Sequence, residues 1–386
     1  MANRKVTLDV KRNLAVILLL VFATAQFILI LRHKNPYVSD SYFYKHTYYQ
    51  LKGLSYDEAQ AKIISEVDLI AADEITRNFF QNKETYANSY SFFQKRPFYP
   101  LTAYLASLFN LNDYLSFQIP VFTAYILSVI LVFRLSKEGL GYFFAIISTA
   151  LFVSFYPFLD SSTYFLTDTI GFAFWLSQIF TIYNYIKSKK SKWLIFFFIS
   201  LSISLLNREQ SVLMAPLLMS ALVLQKLLLL KGASQIKKLL FVSFIPIILF
   251  ITVSFMLKLP NIYDTISYTQ NNYGLRSNKF TAEETFRYMA NAIKISHYVF
   301  IRDIVSHHWW LLLSALAAVS ALRSLVKGKR NNLDILIVSS ALASYLAIFI
   351  YPVLSYRYFL PIVFAVSYFS VKILRDYNKE VMSKNK

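Results

Sequence analysis

Long apolar runs separated by short polar segments make up most of the chain. Runs at or near the roughly 20 residues that cross a bilayer occupy 14–31, 115–133, 141–157, 164–186, 210–230, 239–257, 309–326, 333–351 and 356–374, and a shorter one occupies 193–206. This pattern predicts an all-α polytopic membrane protein with about ten transmembrane helices. We expect residues 1–386 to form a single integral membrane domain.

Two polar segments are long enough to carry structure outside the bilayer, a first loop at 32–97 and a second loop at 258–308. In the first loop, Ser55 followed by Glu58 predicts a capping box that opens a helix. A second helix is expected over 68–80, and both helices should lie on the membrane surface.

The distribution of charge sets the predicted orientation. The net charge is +19. With the amino terminus inside, the segments between alternate helices hold 23 Lys and Arg against 5 Asp and Glu, and they lie at 1–13, 134–140, 187–192, 226–238, 323–334 and 372–386. Nearly the whole excess is thus a positive-inside signature, so both termini should be cytoplasmic and no nucleic acid is expected as a partner.

The apolar stretch at 98–109 is too short to span a bilayer. Counting it as a span would also place the later basic segments outside, against the orientation rule. We therefore expect a half-inserted or interfacial helix there, joined to the long first external loop.

Few charged residues lie near the predicted outer ends of the helices, and each is a candidate for chemistry. Asp40 follows the first helix, and Arg96 precedes the interfacial helix. The others are Asp160, Asp168, Arg208, Glu209 and Arg357, the last of which is flanked by Tyr356 and Tyr358.

Arg208 is predicted to lie below the outer surface. Only 14 residues run from Trp193 to the one before Asn207, and at about 1.5 Å each they rise roughly 21 Å, short of a roughly 30 Å apolar core. Ionisable groups at such depth usually mark a functional site. The alternative is a structural ion pair of Arg208 with Asp168 or Glu209 that ties helices together.

Arg357 could clamp a phosphate with its planar donors, or it could simply reach the interface from a helix end. The many tyrosines near the outer ends, Tyr44 and Tyr358 among them, could form an interfacial aromatic belt or a surface on which sugars stack. These alternatives stay open on the residues alone.

The order of these features resembles the GT-C glycosyltransferases. The matching features are an early acid, Asp40, beyond the first helix; the pair Arg96-Pro97 opening a membrane helix; the turn from Pro157 to Asp168; the short helix ending in Asn207-Arg208; and Arg357-Tyr358 near a late helix. The similarity runs from about residue 14 to residue 374.

Members of that superfamily, such as protein O-mannosyltransferases and lipid A aminoarabinose transferases, move a sugar from a polyprenyl-phosphate carrier to an acceptor on the external side. The resemblance implies a plasma-membrane hexosyl- or pentosyltransferase, inverting, with an external or periplasmic site and a glycan, lipid or protein acceptor. It implies Asp40 as the catalytic base and Arg96, Arg208 and Arg357 as contacts to the donor phosphate. Asp168, Tyr44 and Tyr358 complete the expected substrate-binding set.

The chain departs from the family pattern at one informative place. The paired acids common after the first helix are here Ser39-Asp40-Ser41, which argues against a cation bridged by two adjacent carboxylates. Metal dependence stays open, with a divalent cation as one alternative. A polymerase or ligase of lipid-linked glycans is the rival enzyme, and a transporter of lipid-linked sugars is the rival from another class.

Overall fold

The chain is described from a computed structural model that covers residues 2–67, 74–227, 233–258, 262–271, 278–306, 308–326, 331–350, 357 and 359–384. Within these ranges every regular element is a helix, which confirms the predicted all-α class. The helices of the amino-terminal part are α1 (Ala2–Arg32), α2 (Ser39–Leu51), α3 (Tyr56–Glu66), α4 (Glu74–Gln81), α5 (Lys83–Phe93) and α6 (Phe98–Ser107).

The remaining helices carry most of the apolar sequence. They are α7 (Asp113–Leu140), α8 (Tyr142–Val153), α9 (Tyr156–Ser162), α10 (Thr167–Ser188), α11 (Lys192–Asn207), α12 (Met214–Leu227), α13 (Ala233–Leu257), α14 (Ile262–Gln270), α15 (Ala282–Ser306), α16 (His308–Val326), α17 (Asn332–Tyr345), α18 (Ala347–Ile350) and α19 (Leu360–Lys384). A 3₁₀ turn, Glu209–Leu213, joins α11 to α12.

Four stretches are long and apolar enough to cross a membrane: Arg12–Arg32, Asp113–Leu140, Trp309–Val326 and Asn332–Phe349. Shorter apolar helices lie at Tyr142–Val153, Lys192–Asn207 and Leu240–Met256. Membrane spanning is therefore supported, whereas the count of about ten spans and the inside–outside orientation stay predictions.

One predicted span is divided. The run at 141–157 forms α8, which ends at Val153, and the start of α9, in which Pro157 occupies the first turn. Proline suits the first turn of a helix and disfavours helical backbone before it. The break is thus placed by the proline, and α8 alone is about 18 Å long at 1.5 Å per residue.

The first loop is helical, as predicted. Ser55 caps α3, its side chain accepting from the Glu58 N–H at 3.4 Å, while the Glu58 carboxylate accepts from the Ser55 N–H at 2.8 Å. This confirms the capping box. Of the helix expected over 68–80, the structure describes only the part in α4, and residues 68–73 lie outside the described ranges. The stretch 98–109 forms α6, and its depth in the membrane stays a prediction.

An aromatic core of its own holds the first loop together. Phe43 of α2 stacks on Phe80 with ring centroids 5.6 Å apart and on Phe93 at 5.0 Å. Tyr48 packs edge-on against Phe117 of α7 at 5.1 Å. Because such contacts bury large rings on several helices at once, α2 is fixed against the end of the helical bundle.

The entrance to the first loop is tied to the turn before α10. The Phe165 N–H donates to the Pro36 carbonyl at 3.0 Å. Lys34 forms an ion pair with Asp160 at 2.9 Å and lies 3.2 Å from the centre of the Tyr164 ring. These contacts place the start of α2, where Asp40 lies, next to the start of α10, where Asp168 lies.

Candidate active site

Asp40 lies in the first turn of α2. The Val38 N–H donates to the Ser41 side chain at 3.2 Å, which closes the amino-terminal end of the helix. A carboxylate in a first helical turn is stabilised by the helix dipole. The Asp40 side chain is 32% exposed, so its carboxylate can be reached from outside the protein.

Arg357 joins Asp40 to Asp168. Its Nη1 atom lies 3.6 Å from the Asp40 Oδ2 atom and 3.6 Å from the Asp168 Oδ2 atom. Asp168 is only 3% exposed and also accepts from Arg208 Nη1. The structure thus brings four of the predicted site residues into one charged cluster, although they come from four separate parts of the chain.

Arg208 lies where the chain leaves α11, with an extended backbone (φ −163°, ψ 130°) that ends the helix. The Asn207 amide beside it donates to the Thr167 carbonyl at 3.0 Å. Arg208 and Asp168 are both buried, and a buried charge is tolerated when it is paired. The ion pair that the sequence offered as the structural alternative for Arg208 is therefore present, next to the rest of the cluster.

Arg96 and Glu209 form a second, two-bonded ion pair. Arg96 Nε donates to Glu209 Oε2 at 2.9 Å, and Arg96 Nη2 donates to Glu209 Oε1 at 2.5 Å. A fork of this kind is the strongest arrangement of guanidinium and carboxylate. It holds the turn before α6 against the 3₁₀ turn after α11.

Tyr44 connects the two ion pairs. Its hydroxyl accepts from Arg96 Nη1 at 3.2 Å and lies 3.3 Å from the hydroxyl of Thr167, the neighbour of Asp168. Its ring is buried, and burial raises the pKa of the phenol. Tyr44 therefore keeps its proton and acts here as a support for Arg96 rather than as an open stacking surface.

A cleft opens beside the charged cluster and encloses about 330 Å³ that includes open solvent. Its polar end holds both members of the Asp168–Arg208 pair and Arg357, and its other end is apolar. The lining residues are Asp168, Gly171, Phe172, Trp175, Arg208, Gln210, Ser211, Arg357, Leu360 and Pro361. A cleft with cations at one end and apolar side chains at the other suits a ligand with an anionic head and a lipid chain.

Several sequence candidates lie elsewhere. Asp160 pairs with Lys34 rather than with the cluster. Tyr358 lies outside the described residues, so its predicted role stays a prediction. Among the residues that the structure does describe, no group of three or more His, Asp and Glu side chains is placed to hold a metal ion.

Sequence reasoning did not assign a role to Glu209 beyond a pair with Arg208. The signal that singled out Arg208, a charge too deep for its short helix, applies equally to the next residue. What that signal lacks is direction, because adjacent residues at a helix end point to different neighbours. Glu209 points to Arg96, and Arg208 points to Asp168.

Residues 95–256 match the model of the dolichyl-phosphate-mannose-protein mannosyltransferase family. The matched segment is less than half of the chain, and it contains Arg96, Asp168, Arg208 and Glu209 but neither Asp40 nor Arg357. No curated protein and no solved structure matches the chain. The resemblance inferred from the sequence is confirmed over this segment, and together with helices able to cross a membrane it supports a membrane glycosyltransferase of the GT-C type.

Proposed function

We propose that this protein transfers a sugar from a polyprenyl-phosphate donor to an acceptor hydroxyl at the external face of the membrane, with inversion at the anomeric carbon. The observation that carries the proposal is the convergence of an accessible carboxylate, Asp40, with Arg357 and the Asp168–Arg208 pair at one end of the helical bundle. The family match to residues 95–256 supports it.

In the proposed reaction the acceptor oxygen attacks the anomeric carbon while the bond from that carbon to the phosphate oxygen breaks. The acceptor proton passes to Asp40, and polyprenyl phosphate leaves as an anion. A phosphate leaving group needs no protein acid, so one base and nearby cations suffice. Arg357 is the arginine next to that base, and Arg208 and Arg96 complete the positive set.

The cleft supports a lipid-linked donor in particular. Phe172, Trp175 and Leu360 line its apolar part, and Arg357 lies at its polar part. The donor phosphate would lie among the arginines, with the first isoprenoid units against the apolar side chains. The acceptor would approach from the side of Asp40, over the helices of the first loop.

The test is transfer by the purified full-length protein in liposomes. The protein is incubated with a panel of polyprenyl-phosphate sugars, and release of polyprenyl phosphate is measured. Asp40→Asn should lower the rate by about 10²- to 10⁴-fold, as loss of a general base does. Asp57→Asn is the matched control, because Asp57 also lies in the first turn of a first-loop helix and is exposed.

Near-normal transfer by Asp40→Asn at matched protein levels would remove Asp40 from the role of base. Absence of lipid phosphate release with every donor, accompanied by movement of the intact lipid-linked sugar across the bilayer, would favour a transporter instead.

A further inference from the structure

The charged cluster is electrically balanced. Its six members, all described, are three carboxylates and three guanidinium groups: Asp40, Asp168, Glu209, Arg96, Arg208 and Arg357. An arriving phosphate adds negative charge to a set whose cations already face carboxylates. It must therefore compete with one of those carboxylates for an arginine.

The three arginines are held unequally. Arg96 makes two hydrogen bonds to Glu209 at 2.9 and 2.5 Å. Arg208 pairs with Asp168 at close range, and their side chains are only 7% and 3% exposed. Arg357 lies 3.6 Å from each of its two carboxylates, beyond hydrogen-bond length, and its side chain is 29% exposed.

Arg357 is also the member that lines the cleft and contacts the proposed base. Asp168 keeps Arg208 whether or not Arg357 stays, whereas the ion pair described for Asp40 is the one with Arg357. Withdrawal of Arg357 would thus change the surroundings of Asp40 more than those of Asp168.

We propose that Arg357 masks Asp40 until a phosphate-bearing ligand draws the guanidinium away, so that donor binding frees the base. This inference rests on the proposed function and adds an order of events to it. In the empty site the Asp40 carboxylate faces Arg357. In the occupied site the same guanidinium faces the phosphate, and Asp40 is open to the acceptor hydroxyl.

Competition of this kind has a reciprocal consequence. If phosphate binding weakens the contact between Arg357 and Asp40, removal of the Asp40 charge must strengthen phosphate binding by the same factor. Asp40→Asn should therefore bind phosphate more tightly while it turns over more slowly. A base that merely accepts a proton would not couple these two effects through Arg357.

The experiment measures binding of farnesyl phosphate to the full-length protein in detergent, using wild type, Asp40→Asn, Arg357→Gln and the double variant. Asp40→Asn should bind the probe about two- to fivefold more tightly than wild type, the range expected for a solvent-exposed ion pair at this separation. In the Arg357→Gln background the same change should have no effect. Asp57→Asn should leave affinity unchanged.

An unchanged or weakened affinity in Asp40→Asn overturns the inference, as does an equal gain in the two backgrounds, which would indicate direct repulsion between Asp40 and phosphate. If Arg357→Gln does not fold, Arg357→Lys serves in its place. It keeps the positive charge but loses the fork that faces two carboxylates. The gain from Asp40→Asn should then fall to half or less, and a full gain counts against masking.

The outcome for the proposed function is read separately from turnover. Slow transfer without tighter binding refutes masking and leaves Asp40 as the base. Normal transfer by Asp40→Asn refutes the base itself, whatever the binding result.

Discussion

The ion pair between Arg96 and Glu209 should couple the first loop to the membrane helices strongly. Their side chains are 15% and 20% exposed, and two hydrogen bonds join them. Breaking a fully buried pair by removing one partner costs about 3–5 kcal/mol. Allowing for the exposed fraction, we expect Glu209→Gln to lower the free energy of unfolding by about 2–3 kcal/mol, because Arg96 is left charged without its carboxylate.

The assay is a double-mutant cycle of Arg96→Gln and Glu209→Gln, with unfolding followed by denaturant titration in mixed micelles. The double variant should be less unstable than the sum of the single variants, with a coupling free energy of about 2 kcal/mol. The internal control is the pair Arg287–Glu283, whose side chains are 74% and 73% exposed. Its coupling should be about 0.3–0.5 kcal/mol. Equal coupling for the two pairs would refute the reasoning from burial and bidentate geometry.

Two further predictions concern stability. Gly139→Ala should destabilise the protein by about 1–3 kcal/mol in the same unfolding assay, because its new methyl group would overlap the Tyr368 phenol; Gly171→Ala, whose nearest neighbour is at an ordinary 3.4 Å, should have a small effect, and equal losses would contradict the prediction. His46 is fully buried, and burial lowers its pKa from 6.5 to about 4. As pH falls below 6.5 the unfolded chain takes up a proton that the folded chain refuses, so about 2 kcal/mol of stability should be lost by pH 5. His46→Phe should flatten this dependence, and an unchanged slope would show that other groups cause it.

The sequence was sufficient for the class of fold and for local features. The capping box of Ser55 and Glu58 depends on residues three apart, so local chemistry determines it. The division of 141–157 was missed because hydropathy reports that a stretch is apolar, not that its backbone is continuous. Pro157 was visible, and its preference for a first helical turn was the signal that could have placed the break.

The site was predictable in membership but not in pairing. The scarcity of charges near the outer ends selected Asp40, Arg208 and Arg357 before any contact was known. Partner choice depends on how each helix is rotated about its axis and on how the first loop lies across the bundle, and sequence spacing encodes neither. For this reason Arg96 was expected to face a phosphate, whereas in the structure it faces Glu209.

Arg208 and Glu209 are neighbours in the chain that hold partners on two distant segments. A substitution at either position therefore leaves an unmatched charge far away in the sequence. In relatives of this protein, changes at these two positions should accompany changes at the positions of Asp168 and Arg96. A short insertion at this turn would be tolerated only where both partners had also changed, so the dipeptide should mark the register of the family in sequence comparisons.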